Sequence, residues 1–361
     1  MNTTLQRTGL FILIAVSLFS CRKDRITPEP EEITVVNGLY LLNEGNYGSN
    51  KSTLDFYDYS TGMYHNNIYG AVNPEANLKL GDTGNDLKIY GSRLYIVVNG
   101  SNKVEVINVK TAKRIGQVDI PNCRNIAFYK NKAYVTAYDG YVAVIDTATL
   151  TKTGQISVGR QPEELVVVGD KLYVANSGGY DANNYERTVS VINLTTGLKV
   201  KDIDVAINLH RLKADSYGDL YVSSRGDYGK IGSNLYVIDT KTDAVKKTLN
   251  VAASNFVIHK DIAYVYSAEW SNATAGYVIT YNRINVKDET VLAGSFITDG
   301  TQASIMLPYG IAVDPTSEDI YVTDAKDYTT PGTLYCYDKN GKKKFEKTTG
   351  DIPAAMVFYT K

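Results

Sequence analysis

A two-residue signature, a hydrophobic residue followed by Tyr at the head of a β-rich run, recurs seven times along the 361-residue chain. The copies stand at Leu39–Tyr40, Leu94–Tyr95, Ala133–Tyr134, Leu172–Tyr173, Leu220–Tyr221, Ala263–Tyr264 and Ile320–Tyr321. Subtracting successive Tyr positions gives 55, 39, 39, 48, 43 and 57. Four-stranded propeller blades repeat every 40–45 residues or so, and the excess fits loop insertions. Apolar and polar residues alternate with a period of two, which excludes helical solenoids. Tyr, at 29 copies against 9 Pro, suits half-buried pleated surfaces.

Each copy is followed by a second alternating strand that ends in a turn, in five of the seven by way of an Asx residue, as in Val142 to Thr149, where Asp146 can bond its own turn. Each copy after the first is preceded by an apolar strand, for example Asn125 to Tyr129 or Glu164 to Val168. The first copy lacks that strand, and Pro353 to Tyr359 is an orphan of the same type. The pattern therefore predicts an all-β, seven-bladed β-propeller of four-stranded antiparallel blades, closed by the C-terminal strand pairing into the N-terminal blade. Such a closure leaves no large open edge.

Residues 1–20 are read as a lipoprotein signal peptide. Arg7 precedes an apolar run, Gly9 to Phe19, that is too short to cross a bilayer and ends in Leu18, Phe19, Ser20 and Cys21. The pattern resembles bacterial lipoprotein signals, which implies cleavage before Cys21 and lipidation of its thiol. Residues 21–36, with Pro28, Glu29, Pro30, Glu31 and Glu32, are read as a flexible tether, and 37–361 as the propeller. The other two Cys, Cys123 and Cys336, have no CxxC spacing and suggest neither a disulfide framework nor a zinc site. A net charge of −1 supplies no basic field for nucleic acid or anionic lipid, so the lipid anchor is the only membrane contact expected.

Leu172 to Gly179 (LYVANSGG) and Tyr141 to Thr147 (YVAVIDT) resemble the repeats of YncE-like propellers. Gly81 to Asn99 (GDTGNDLKIYGSRLYIVVN), with Leu41 to Gly45 (LLNEG) upstream, resembles the BtuG-type surface cobalamin-binding lipoproteins of Bacteroidetes. That resemblance implies an outer-membrane, cell-surface lipoprotein that captures cobalamin or another corrinoid and hands it to a TonB-dependent transporter. Arg22, Lys23, Asp24 and Arg25 lack the acidic run that accompanies surface export in that group, so a periplasmic orientation stays open.

No hydrolase, P-loop or dinucleotide fingerprint occurs. No catalytic residue, metal or cofactor is expected. Of His65, His210 and His259, only His210 is placed for a ligand role. A propeller hydrolase or lactonase with a tunnel metal is the alternative; it would draw on Asn85, Asp86, Glu163, Glu164 and Asn255. A protein- or glycan-binding surface module is the third reading.

The loops joining the second and third strands carry aromatics that no strand register accounts for. The expected ligand-binding residues are Tyr47, Tyr138, Asn176, Tyr180, Tyr185, Arg225, Tyr228, Trp270 and Tyr328, joined by Asn85 and Arg124 on the same face. Among them Trp270, Tyr180 and Tyr228 are expected as apolar anchors, and Arg225 and Asn176 as polar partners. Tyr and Trp give rigid area with a polar handle, while amide and guanidinium groups give directional hydrogen bonds. The repeat tyrosines themselves are read as packing residues.

Overall fold

A computed structural model describes residues 36–74, 79–271 and 273–360. The signal peptide, Cys21 and the tether lie outside the described residues, as does Asn272. Seven four-stranded antiparallel sheets form the ring. The first blade holds β1 (Val36–Asn43), β2 (Thr53–Asp58) and β3 (Tyr64–His65). The second holds β4 (Gly84–Tyr90), β5 (Arg93–Val98), β6 (Lys103–Asn108) and β7 (Arg114–Asp119). The third holds β8 (Cys123–Tyr129), β9 (Lys132–Ala137), β10 (Tyr141–Asp146) and β11 (Thr151–Ser157). The fourth holds β12 (Pro162–Val168), β13 (Lys171–Asn176), β14 (Thr188–Asn193) and β15 (Leu198–Asp204). The fifth holds β16 (Leu209–Ala214), β17 (Asp219–Ser224), β18 (Asn234–Asp239) and β19 (Ala244–Thr248). The sixth holds β20 (Asn255–His259), β21 (Ile262–Ser271), β22 (Gly276–Asn285) and β23 (Thr290–Leu292). The seventh holds β24 (Pro308–Val313), β25 (Ile320–Asp324), β26 (Thr333–Tyr337) and β27 (Lys343–Thr348).

The orphan strand β28 (Pro353–Thr360) pairs antiparallel with β1, and the first sheet runs β28-β1-β2-β3. Closure is therefore as the sequence predicts, with the chain's last strand supplying the innermost strand of its first blade.

The core is not a single mass but a slab between each pair of adjacent blades. Tyr95, Val97 and Val106 of the second blade meet Ile126, Val135 and Ile145 of the third. Leu39 and Leu41 of the first meet Tyr321, Leu334 and Cys336 of the seventh. The signature Tyr explains itself in this setting. Its ring fills the slab and its hydroxyl bonds the next blade: Tyr40 to Val109 O at 2.6 Å, Tyr173 to Asp243 Oδ1 at 2.6 Å, Tyr221 to Val286 O at 3.1 Å, and Tyr321 to Tyr59 Oη at 2.8 Å across the closure. A buried ring whose polar tip finds a partner combines hydrophobic burial with a satisfied donor. Phe at these positions would keep the slab and lose the inter-blade bond.

The Asx turns form as expected. Asp146 Oδ1 accepts from the amides of Ala148 and Thr149, both at 2.9 Å, and Asn193 Oδ1 from those of Thr195 and Thr196.

Strand boundaries differ from the sequence reading in two ways that matter for function. Five of the inner strands begin about two residues earlier than their apolar runs, at Gly84, Cys123, Pro162, Leu209 and Pro308, and the register breaks just inside each start. Trp270 also lies on a strand and not in a loop, because β21 and β22 are ten residues each and pair out to Ser271 and Gly276.

Candidate functional site

One face of the ring collects the loops joining second to third strands and the loops that lead into the inner strands. The register breaks decide what reaches the tunnel mouth there. A β-bulge leaves an extra residue unpaired and re-aims its side chain. Asn85, Arg124, Glu163 and His210 occupy the shifted stretches between Gly84 and Asp86, Cys123 and Ile126, Pro162 and Leu165, and Leu209 and Leu212, and Tyr309 does the same between Pro308 and Ile311.

Glu163, almost wholly buried, is the electrostatic centre of the mouth. Its carboxylate accepts from Arg225 Nη1 at 3.0 Å, Arg124 Nη2 at 3.2 Å and the Tyr138 hydroxyl at 2.6 Å. Burial alone would push its pKa up, but Arg124 and Arg225, helped by the Tyr138 hydroxyl, outweigh it and hold the carboxyl at about 2. The Arg124 guanidinium also lies 4.5 Å over the Tyr138 ring, and Tyr138 stacks edge-on against Tyr180 at 5.2 Å. Opposite, the Tyr309 hydroxyl donates to Glu44 at 2.7 Å, and burial raises the Glu44 pKa against the pull of Tyr309, Arg124 and Arg211. His210 is driven well below the usual imidazole range by burial and then by Arg225, Arg211, Arg124 and Lys213.

Beside the mouth, a cavity of about 380 Å³ opens between the fifth, sixth and seventh blades, walled by Tyr228, Trp270, Tyr277 and Tyr328 over Arg225, Ser254 and Ala268. It shares Arg225, Tyr228, Tyr277 and Tyr328 with the mouth itself, about 240 Å³. Trp270 and Tyr277 are cross-strand partners with rings 5.5 Å apart at 82°. Tyr228 and Tyr328 are held in another way. Each follows an Asp whose Oδ1 accepts two loop amides, Asp227 from Gly229 and Ile231, Asp327 from Thr329 and Thr330. Each Tyr is thereby turned into the left-handed region, with φ of 57° and 66°. Bulky residues there cost roughly 1–3 kcal/mol, and such strain clusters at functional sites. Gly226 makes the turn possible, since a Cβ at its φ of +64° would lie 1.9 Å from Ile231 O.

Of the predicted site residues, Arg225, Tyr228, Trp270 and Tyr328 converge on this cavity, and Asn85 and Arg124 line the adjoining mouth. Tyr138 and Tyr180 form the rim beside Arg124, with Tyr180 73% exposed. Tyr185, half-buried, lies within the field of Tyr228 and Asp227. Tyr47 is 82% exposed on the β1–β2 loop and lines neither cavity.

Asn176 is different: it is fully buried within its blade, bonding Thr188 Oγ1 and Ser190 Oγ, so it presents nothing to a ligand. Tyr266, Tyr277, Tyr309 and Arg211 belong to the site and were not anticipated. The signal for Arg211 lies in the polar pairs that open the inner strands, Asn85–Asp86, Arg124–Asn125, Glu163–Glu164, His210–Arg211 and Ser254–Asn255, each just before an apolar residue, whereas the three tyrosines read as ordinary strand residues. The carboxylates proposed as tunnel metal ligands are each engaged by cations: Asp86 by Lys88 at 3.2 Å, Glu163 by the two arginines, and Glu164 by Lys213.

A family model described as a domain of unknown function, DUF5074, matches residues 37–359. The chain belongs to the DUF5074 family. The match takes in all seven blades of this DUF5074 chain. No curated protein matches it in sequence. Among solved structures, the DUF5074 propeller is similar to hydrazine synthase of Kuenenia stuttgartiensis, at TM-score 0.63 and 18% identity over 75% of this chain and 88% of that one. It is similar to a quinoprotein alcohol dehydrogenase-like protein of Bacteroides thetaiotaomicron, at 0.62 and 16% over 90% and 79%. It is also similar to the computationally designed Ika8 protein, at 0.56 and 13% over 88% and 91%. At these identities the likeness is one of fold.

Proposed function

We propose that this DUF5074 chain is a lipid-anchored ligand-capturing protein of the outer membrane, whose aromatic basin takes cobalamin or another corrinoid and passes it to a TonB-dependent transporter. The observation that carries the reading is the cavity walled by Tyr228, Trp270, Tyr277 and Tyr328 at the tunnel mouth. A corrinoid is large, nearly flat and fringed with neutral amides, so it needs aromatic area and scattered polar partners from distant parts of the chain. Three blades supply both here. Strained tyrosines fixed by Asp227 and Asp327 are pre-organised, which lowers the entropy lost on binding. The corrinoid itself comes from the resemblance of Gly81 to Asn99 to BtuG-type proteins.

Calorimetric titration with cyanocobalamin tests the reading. Trp270→Ala and Tyr228→Ala are each expected to weaken binding by about 2 kcal/mol or more, and Tyr47→Ala by less than about 1 kcal/mol. If the double variant Trp270→Ala/Tyr228→Ala binds as tightly as the wild type with its fold intact, the basin is not the site.

The anchor is tested separately. Cys21→Ala is expected to leave the propeller folded and move it from the membrane fraction to the soluble or uncleaved precursor fraction. Recovery of mature variant in the outer membrane would refute the lipoprotein reading.

A further inference from the structure

Below the mouth the tunnel continues as a cavity of about 430 Å³ lined by Asp86, Lys88, Glu164, Arg211, Lys213 and apolar residues of the inner strands. It joins the mouth through Asn85, Arg211 and Ala354, which line both. Its charges do not balance. Lys88 is matched by Asp86, and Lys213 by Glu164. Those two acids also serve the backbone, Asp86 accepting from Ile126 N at 3.0 Å and Glu164 from Leu212 N at 2.8 Å, each on the next blade. At the mouth, Glu163 pairs with both Arg124 and Arg225. Glu44 and Glu164 act on Arg211 through space, but neither forms an ion pair with it. The Arg211 backbone amide is bonded by Ser223 Oγ, but Nε is buried with no hydrogen-bond partner, and no ion pair engages the guanidinium among the described residues.

A partly buried cation with a buried, unbonded Nε and no ion-pair partner is costly, because its desolvation is only partly offset. Such an excess on a propeller axis, facing an open cavity, is what an incoming anion would neutralise. Guanidinium and ammonium groups differ in how they hold oxyanions: Arg presents a planar fork that suits carboxylate or phosphate, and Lys adds a mobile point charge. The depressed imidazole of His210, attributed to burial and then to four surrounding cations, reports the same positive field.

We infer that the tunnel holds an oxyanion, a carboxylate or phosphate group, with the Arg211 guanidinium as its principal partner and Lys88, Lys213 and the Asn85 amide around it. This site is distinct from the aromatic basin and stands whether or not the basin takes a corrinoid. Its ligand is either a free small anion or an anionic arm of a molecule seated in the basin, and the chemistry at Arg211 is the same for both.

The test titrates the full chain with inorganic phosphate and with succinate at constant ionic strength, balanced with sodium chloride, following both heat and thermal unfolding. Either anion is expected to bind saturably and raise the melting temperature beyond chloride. Arg211→Gln is expected to lose at least ten-fold in that affinity, Arg211→Lys to lose less, and Arg160→Gln, whose side chain pairs with Glu186 and lines neither cavity, to lose nothing. Without anion, Arg211→Gln is expected to melt above the wild type, since it removes a charge held in no ion pair; that readout also establishes that the variant folds. Trp270→Ala is expected to leave phosphate binding unchanged, which separates this site from the basin. Competition by cyanocobalamin would make the anion an arm of the basin ligand, and independent binding would make it a free anion; both support the site. Failure of both oxyanions to stabilise the wild type beyond chloride, or equal affinity in Arg211→Gln, overturns it.

Discussion

Deletion of residues 353–361 is expected to abolish the cooperative unfolding transition of the propeller, not merely to lower its midpoint. β28 supplies the innermost strand of the first blade, pairing with β1 from Val36↔Thr360 to Asn43↔Pro353. Met356 and Phe358 pack into the slab between the seventh and first blades, and Ala355 and Val357 into the slab between the first and second. Loss of the strand uncovers Leu39, Leu41 and Leu42, all of them buried in the intact ring. Each large apolar side chain so exposed loses roughly 1.5–3 kcal/mol, and several together match the whole stability of an ordinary domain. Thr323 Oγ1 and the backbone of Glu44 also lose partners, in Pro353 O and Ile352 O, the latter through displacement of its segment. Calorimetry of the truncated chain checks this; a single sharp transition at the wild-type temperature would mean that the ring closes without β28.

The second large effect concerns Glu163. Glu163→Gln is expected to destabilise the fold by about 3–5 kcal/mol, the range for removing one partner of a buried ion pair, because Arg124 and Arg225 then lie buried with no carboxylate between them. The same group gives the protein an acid-dependent stability. Its folded pKa is about 2 against an ordinary value of 4.5, so the folded state favours the ionised form. The resulting stabilisation, about 3 kcal/mol, is complete above pH 4.5 or so and is lost as pH falls towards about 2. Melting temperatures of wild type and Glu163→Gln should therefore differ most near neutrality and converge in acid. A constant difference across that range would show that the carboxylate's charge is not the source of the effect. Adding Arg225→Gln to Glu163→Gln should recover part of the loss, which a double-mutant cycle would read as coupling.

The basin came out of the sequence in part, and the reasons are specific to residues. Tyr228 and Tyr328 were visible because each lies in an irregular stretch, where no strand register calls for a ring. Trp270 was visible for the same reason, although its true setting is the end of a long hairpin. That hairpin also brings in Tyr277, which reads in sequence as one more strand residue. Asn176 was misjudged because the last residue of β13 looks like the first of a loop, whereas the tight packing of Gly159 against its side chain keeps it inside the blade.

Seven signature tyrosines, the Asx turns and the orphan strand at 353–359 were sufficient by themselves to determine the class of fold, the number of blades and the mode of closure. These are periodic or local properties, and a strand's side-chain alternation and a turn's own hydrogen bonds are written in contiguous residues. Only the tertiary structure decided that Arg124, Glu163 and Arg225 form one buried cluster, that Asp86 and Glu164 are committed to lysines and to neighbouring backbone, and that Arg211 Nε is buried with no hydrogen-bond partner. Those residues come from different blades and meet only on the common axis. Burial and charge compensation depend on distances across the ring that no spacing along the chain encodes.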